Sequence, residues 1–148
     1  MNTWIKNGFS ISTNKDYLDI DAIHKFLSEE AYWALGRPKE TIKKSIDNTT
    51  LCFGVYKGDV SKGDVEQVGF ARVVSDLTIF AYLADVFIVP EYRKLGLSKW
   101  LMEVITNHPD LQNVRRFMLV TNDAHTLYSQ FGFKAIDHPE RFMEKFRG

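Results

Sequence analysis

The chain passes from an extended pattern to a helical pattern through one short turn, and this passage limits its possible folds more than any other feature. Residues 80–89 are almost continuously apolar and end at Pro90, which predicts a buried strand that stops there. Beyond the turn, five apolar side chains recur at helical spacing and predict an amphipathic helix: Leu97, Trp100, Leu101, Val104 and Ile105. The sequence therefore predicts a strand, a turn and a helix in direct succession.

The segments before this unit predict further strands and two helices. Residues 9–12 alternate between apolar and polar and predict a short strand. Asp19 is placed to cap a first helix, and Pro38 suits the first turn of a second. Runs rich in β-branched and aromatic residues at 51–56 and 67–74 follow. Together with the strand described above, they predict an antiparallel meander.

The segments after the unit complete one domain. Residues 117–121 predict a strand, and a short helix follows that Gly132 closes. We expect residues 133–136 and 142–146 to form the last strands. Because the chain has 148 residues and neither a repeat nor a linker, we expect a single domain over 1–148, of the α/β (α+β) class.

Charge and composition exclude several classes of partner. Lys plus Arg and Asp plus Glu both number 19, and no long run of one sign offers a surface for nucleic acid or membrane. The most apolar segment is about half as long as a membrane span, and Asp85 interrupts it. The N terminus lacks a signal-type apolar segment, and the single cysteine, Cys52, excludes an internal disulfide. We expect a cytoplasmic protein whose oligomeric state stays open, a homodimer included.

The turn between the strand and the helix has the chemistry of an anion site. A helix N terminus presents unpaired backbone N–H groups and a partial positive charge. Gly96 and the small Ser98 let an anion approach the backbone, and Arg93, Lys94 and Lys99 add cationic side chains. This chemistry fits a pyrophosphate, although an ordinary helix start with solvated basic residues has the same short pattern.

The turn resembles the motif Arg/Gln-x-x-Gly-x-Gly/Ala of the GNAT acetyltransferase superfamily, with Arg93, Gly96 and Ser98 at the three marked positions. Ser98 departs from the family pattern, which has Gly or Ala there. The predicted order of elements also resembles this family, whose fold is a mixed, mostly antiparallel sheet flanked by about four helices. The resemblance implies that acetyl-CoA binds to the turn and to the backbone of the preceding strand. The residues concerned are Val86, Phe87, Ile88, Arg93, Lys94, Leu95, Gly96, Leu97, Ser98 and Lys99.

A second segment, residues 119–133, resembles the distal part of the same family, in which a strand leads through Asn to a short helix bearing Tyr. The resemblance places Asn122 against the coenzyme arm and Tyr128 near the thioester sulfur; capping of the helix is the alternative for Asn122. A phenol can give a proton or a hydrogen bond to a departing thiolate. Tyr128 is the predicted general acid rather than a core aromatic, because Leu127 and Phe131 already form an apolar pair on a neighbouring face.

The acceptor side of the reaction is less well defined by the sequence. Asp85 is the one ionised residue in the apolar strand, so burial is expected to raise its pKa and suit it as a base or an acceptor ligand; a structural carboxylate is the alternative. Tyr82 stands where some family members have an acidic base, and it is assigned to acceptor binding. The resemblance also puts Tyr32 and Trp33 in the acceptor pocket, where aromatic faces suit a cationic amine; a helix end that covers the core is the alternative. A backbone N–H of the strand is the expected oxyanion donor.

These features together predict an N-acetyltransferase. It would transfer an acetyl group from acetyl-CoA to a primary amine, of a small molecule or a protein, by direct attack in a ternary complex. The four histidines lack ligand spacing, so we expect no metal, and Cys52 is expected to be a small core residue. A noncatalytic acyl-CoA-binding sensor is the alternative function, and Tyr82 in place of an acidic residue favours it.

Overall fold

The computed structural model describes all 148 residues and contains one six-stranded sheet in which the strands follow one another in chain order. The strands are β1 (Thr3–Lys6), β2 (Phe9–Ser12), β3 (Leu51–Lys57), β4 (Glu66–Ser75), β5 (Phe80–Ile88) and β6 (Arg116–Met118). The helices are α1 (Ile20–Glu29), α2 (Lys39–Asp47), α3 (Leu97–Thr106) and α4 (His125–Ser129). Strands β1 to β5 pair antiparallel, and β6 pairs parallel with β5. This confirms the mixed, mostly antiparallel sheet with four helices.

Local sequence signals set the helix boundaries. The Asp19 carboxylate accepts a hydrogen bond from the Ala22 N–H at the start of α1, as the sequence predicted. Pro38 is the residue immediately before α2. Gly96 precedes α3 with a φ of 79°, a left-handed conformation that glycine adopts without a steric penalty.

The helices cover both faces of the sheet. Helix α3 packs on one face, where it shares a core of 17 buried residues with alternate side chains of the strands, among them Phe53 and Val73. Helices α1 and α2 pack on the other face in a cluster of 10 buried residues that includes Phe70 and Phe87. The alternation of strand side chains therefore fills two cores.

Two regions differ from the predicted order of elements. The sequence analysis missed β1, an exposed edge strand that forms a hairpin with β2 through Asn7 and Gly8, whose positive φ angles of 52° and 83° suit a tight turn. The strands predicted at 133–136 and 142–146 are absent. Phe133 contacts Phe117 and Tyr128 through its ring instead of joining the sheet.

Strand β5 has one edge that is only partly paired, which leaves a space beside the strand. Its ladder with β6 covers only Phe80 to Tyr82, after which β5 continues alone to Ile88. We call the space between residues 83–88 of β5 and the segment 119–128 the wedge. The Val89 N–H bonds to the Val68 oxygen on β4, so by alternation the backbone of Ile88 faces away from β4, towards the wedge.

We predict that Gly69→Ala will destabilise the fold at the place where β4 supports the free part of β5. A Cβ at residue 69 would lie 2.6 Å from Ile88 Cδ1 and 2.8 Å from the Phe87 carbonyl oxygen. Such overpacking typically costs about 1–3 kcal/mol, which urea unfolding would measure as a loss of free energy. Val74→Thr in the same strand is the control, because Val74 is exposed and the change should cost no more than about 0.5 kcal/mol. Equal stability of Gly69→Ala and the parent would contradict the close packing.

Candidate active site

The turn before α3 presents unpaired backbone N–H groups to a cavity. The first helical hydrogen bond runs from the Trp100 N–H to the Gly96 oxygen, and no side chain caps the helix. The N–H groups of Leu97, Ser98 and Lys99 consequently have no acceptor within the protein. They border a cavity of about 210 Å³. Its lining residues are Ile88, Tyr92, Arg93, Lys94, Gly96, Leu97, Ser98 and Lys99.

The structure thus brings together all but one of the turn residues that the sequence singled out. The exception is Leu95, whose exposed side chain lines an adjoining cavity of about 310 Å³ beside β1 and β2. Arg93 Nε donates a hydrogen bond to the Ile88 carbonyl at 3.1 Å, which ties the turn to the end of β5. Lys94 has a φ of 66°, a left-handed conformation that is uncommon for a residue with a side chain. The turn therefore holds its cationic residues around the free N–H groups.

The Phe87 and Ile88 side chains at the end of β5 are buried in the two cores. The Phe87 ring is buried and stacks on Phe26 with centroids 4.1 Å apart. The Ile88 side chain lies in the core beside α3, and Val86 packs against the same core. By the alternation that turns the Ile88 backbone towards the wedge, the peptide groups of Phe87 face β4, so the predicted contact from Phe87 is not available there. Contacts from this strand would come from the Ile88 backbone and from Val86, which is only partly buried.

Tyr128 borders the wedge with a buried ring and an accessible hydroxyl. The prediction that it lies off the core is wrong for the ring, which is only 8% exposed and belongs to the α3-side core. Its hydroxyl makes no hydrogen bond with the protein, and the fully buried unpaired polar atoms are Tyr56 Oη and His108 Nε2 alone. Burial, with smaller effects from Tyr32 and Asp123, raises the pKa of Tyr128 to about 12. The hydroxyl therefore stays protonated near neutral pH.

The loop between α1 and α2 reaches across to the segment that carries Tyr128. Tyr32 accepts a hydrogen bond from the Asn122 N–H at 3.1 Å, and its ring meets that of Trp33 edge to face at 5.0 Å. The Asn122 side chain is exposed and does not cap α4, because Thr121 Oγ1 accepts the hydrogen bond from the Ala124 N–H. The alternative capping role for Asn122 is thus not observed.

Asp85 is the centre of a buried charged cluster on the side of the sheet that faces α1 and α2. It sits at a β-bulge with a φ of 55°, and its carboxylate is almost fully buried. Arg72 Nε donates to it at 2.7 Å, Trp33 Nε1 at 2.8 Å and Arg37 Nη1 at 3.2 Å. The cluster therefore joins β4, β5 and the α1–α2 loop.

The expectation that Asp85 has a raised pKa is wrong. Burial alone raises the pKa of this carboxyl, but the charge and hydrogen bond of Arg72, the hydrogen bond of Trp33 and the charge of Arg37 outweigh it and lower the pKa below its ordinary value. A carboxylate held in this way is a weak proton acceptor. The geometry fits the structural alternative that the sequence left open.

The sequence analysis missed Arg37 and Arg72. Arg72 lies in the middle of a mostly buried strand, as Asp85 does in the next one, and a lone charge at either position would be costly. Two opposite charges within neighbouring apolar strands were therefore a usable signal of a pair. Arg37 gave no such signal, because it lies in a loop of mixed polarity.

Tyr82 and Cys52 are the remaining candidates, and neither bonds to the Asp85 cluster. Tyr82 is partly exposed and shares a sheet face with Arg72, since its neighbour in alternation, Ala84, pairs with that residue. Cys52 is a buried core residue, as predicted, and burial raises the pKa of its thiol to about 11.

No group of three or more His, Cys, Asp or Glu side chains is placed to hold a metal ion. None of the helices has the length and apolar character of a membrane span.

We predict that Asp85→Asn will lower the free energy of unfolding at pH 7 by on the order of 3 kcal/mol, because two guanidinium groups lose their buried counter-charge. The folded pKa of Asp85 is lowered, so its stabilisation is complete above the unfolded value, about 3.9, and is lost as the pH falls through the folded value. The difference in the free energy of unfolding between parent and variant should consequently become smaller at acid pH.

Urea unfolding at pH 7 and at pH 3 would measure this difference. Asp47→Asn is the matched control, because its ion pair with Lys43 is exposed and should contribute less than about 1 kcal/mol. A variant as stable as the parent at pH 7, or a gap that does not narrow at acid pH, would contradict the assignment of Asp85.

The sequence as a whole has recognisable relatives. The family model of the acetyltransferase (GNAT) domain matches residues 51–135, which is more than half of the chain. A candidate acetyltransferase of Gibberella zeae is 28% identical over 141 residues, covering 86% of this chain and 79% of the relative. An uncharacterised N-acetyltransferase of Prochlorococcus marinus is 31% identical over 118 residues, covering 74% of this chain and 63% of the relative.

Solved structures share the fold. A crystal structure of a GNAT-family candidate acetyltransferase from Xanthomonas campestris pv. campestris superposes with a TM-score of 0.86 at 45% identity, covering 94% of this chain and 93% of that one. A candidate acetyltransferase of Clostridium acetobutylicum, determined with acetyl-CoA, has a TM-score of 0.59 at 17% identity, covering 93% and 94%. The second likeness bears on the fold alone. The matches of sequence and fold show that this chain belongs to the GNAT acetyltransferase family.

Proposed function

We propose that the protein transfers an acetyl group from acetyl-CoA to a primary amine by direct attack in a ternary complex. One observation carries the proposal: the free edge of β5 runs from the uncapped N terminus of α3 into the wedge that Tyr128 borders. A ligand with phosphates at one end and a thioester at the other matches these two chemistries. The single, buried Cys52 fits a reducing compartment such as the cytoplasm.

The turn supplies the anchoring contacts. The N–H groups of Leu97, Ser98 and Lys99 and the partial charge of the helix N terminus would hold the pyrophosphate. The Ile88 peptide and the backbone of Val86 would pair with the amides of the pantetheine arm, as a strand pairs with a sheet edge. A backbone N–H of the same residues would stabilise the oxyanion that forms on the carbonyl. Asn122, at the opposite side of the wedge, would contact the coenzyme arm.

Tyr128 would assist departure of the thiolate. Because its pKa is about 12, complete transfer of its proton to a thiolate, whose conjugate acid has a pKa near ~8.5, is uphill. A hydrogen bond to the sulfur as negative charge develops is the favoured contribution. Tyr32, Trp33 and Tyr82 would form the acceptor side of the site.

Proton removal from the acceptor amine does not require a side chain of this protein. Asp85 is committed to its ion pairs, and Tyr128 is a donor in the proposed step. Water in the wedge would take the proton, or the amine would enter in its neutral form. The lack of a free acidic base also keeps open the noncatalytic acyl-CoA sensor, which would bind acetyl-CoA and show no turnover in the thiol-release assay below.

We predict that a carboxylate at residue 98 will prevent acetyl-CoA binding. Ser98→Glu places a negative charge beside the N–H groups that would hold the pyrophosphate, and like charges brought together cost several kcal/mol. The Kd measured by calorimetry should rise by at least about tenfold. The helix itself should stay folded, because an acidic residue is favourable in its first turn.

The matched variant at the same position is Ser98→Ala, which restores a residue of the family pattern and should bind acetyl-CoA at least as tightly as the parent. Release of free thiol with a panel of primary amines would measure turnover for all three proteins. Tight binding by a folded Ser98→Glu variant would show that the pyrophosphate site lies elsewhere.

We predict that Tyr128→Phe will slow the chemical step while leaving acetyl-CoA binding intact. The change keeps the buried ring and removes only the accessible hydroxyl. Loss of a hydrogen bond to a developing charge should lower the single-turnover rate by roughly 10- to 100-fold. An acyl donor with a more acidic leaving thiol should show a smaller loss, because its thiolate departs with less assistance.

Tyr56→Phe is the control for this change, because the Tyr56 hydroxyl is buried without a partner on β3. Its removal should leave the single-turnover rate unchanged. A Tyr128→Phe rate within about threefold of the parent would restrict Tyr128 to packing.

A further inference from the structure

The buried cluster around Asp85 carries more positive than negative charge. Arg37 and Arg72 both bind Asp85, so two cations meet one anion and the cluster has a formal charge of +1. Neither arginine forms an ion pair with any other carboxylate. Because the cluster is partly buried, solvent screens this excess charge less than it would on an open surface.

Arg37 is the member of the cluster that is available to a ligand. Its Nη1 serves both oxygens of Asp85, while its Nε and Nη2 make no hydrogen bond with the protein. A quarter of the Arg37 side chain is exposed (26%), whereas Arg72 is exposed by 17% and makes a further hydrogen bond to Thr49. A guanidinium edge with two free donors suits a planar oxyanion such as a carboxylate.

The α1–α2 loop holds this edge on the same side of the wedge as the aromatic pair. Three backbone hydrogen bonds close the loop: Ala34 N–H to Ala31, Gly36 N–H to Ser28, and Arg37 N–H to Ala34. From Arg37 the contacts continue through Asp85 and Trp33 to Tyr32, which binds the Asn122 N–H near the helix of Tyr128. These contacts link the loop that carries Arg37 to the segment that carries Tyr128.

We propose that the acceptor is a primary amine that also carries a carboxylate, as amino acids do, and that Arg37 binds this carboxylate. The inference rests on the acyltransferase function proposed above. The carboxylate pairs with the free donors of Arg37 and offsets the excess charge, while the amine points along the aromatic pair towards the thioester. A polyamine would bring further positive charge to a cluster that already has an excess, so the cluster disfavours it.

The test compares acceptors that differ in the carboxylate alone. For the parent with acetyl-CoA, thiol release gives kcat/KM for phenylalanine, phenylalanine amide and 2-phenylethylamine, and for lysine and 1,5-diaminopentane. The amide is an internal control, because its amine is less basic than that of the acid and would react faster if protonation alone decided the rate. We expect the free acids to exceed the amide and the decarboxylated amines by roughly 10- to 100-fold, the usual effect of a charged hydrogen bond.

The Arg37 variants test the residue itself. Arg37→Gln should lose this preference by lowering kcat/KM for the acids alone, and Arg37→Lys should keep part of it, because a charge remains without the planar fork. Lys39→Gln is the matched control, since Lys39 is a nearby exposed cation that pairs with Asp21, and its preference should equal that of the parent. Circular dichroism and calorimetry with acetyl-CoA establish that each variant is folded and binds the donor.

The outcomes separate this inference from the proposed function. Two results would overturn the role of Arg37 while leaving the acyltransferase function standing. One is turnover by the parent without preference for acceptors that carry a carboxylate, and the other is an equal loss of kcat/KM for all acceptors in Arg37→Gln. Absence of turnover with every amine, although acetyl-CoA binds, would overturn the proposed function and this inference with it.

Discussion

The buried carboxylate of Asp85 is the constraint on which the arrangement of the site depends. An ionised group that is almost fully buried must be paired, and Arg72 from the neighbouring strand and Arg37 from the α1–α2 loop meet this requirement. Since Trp33 also bonds to the carboxylate, the loop is fixed over the bulged part of β5. One charge thus determines where the aromatic side chains of the loop stand relative to the wedge.

The same part of β5 is where the proposed ligand would enter the sheet. A strand in the interior of a sheet has both edges paired, but the ladder of β5 with β6 ends at Tyr82. Beyond Tyr82 the strand has no partner strand on that side, although the Ile88 carbonyl accepts a hydrogen bond from Arg93. The chain then passes through the turn to a helix whose first N–H groups are unpaired. The strand edge and the helix terminus thus offer two sets of backbone groups, and the proposed ligand would use both, with its anionic end at the helix.

The structural features that depend on neighbouring residues could be predicted from the sequence. The features that depend on residues far apart in the chain could not. The capping Asp19, the turn around Gly96 and the face of α3 are local signals, and the structure confirms each of them. The pKa of Asp85 was misjudged because burial could be inferred from its strand, whereas its partners come from 13 and 48 residues away. The final strands were overpredicted because apolar residues alone do not provide a ladder partner. The spacing on α4 likewise did not reveal that the Tyr128 ring enters the core.

The two ionisable groups nearest to the proposed chemistry have fixed charges near neutral pH. Ion pairing keeps the Asp85 carboxyl ionised, and burial keeps the Tyr128 phenol neutral. The site therefore offers a constant field: excess positive charge at the Arg37 end and a hydrogen-bond donor at the Tyr128 end. A constant field selects the charge distribution of the acceptor, and it leaves the protonation of the amine to be set by the amine and the solvent. Under the proposed function, the side chains of the site would select the acceptor by its charge, and the activation of its amine would be left to the solvent.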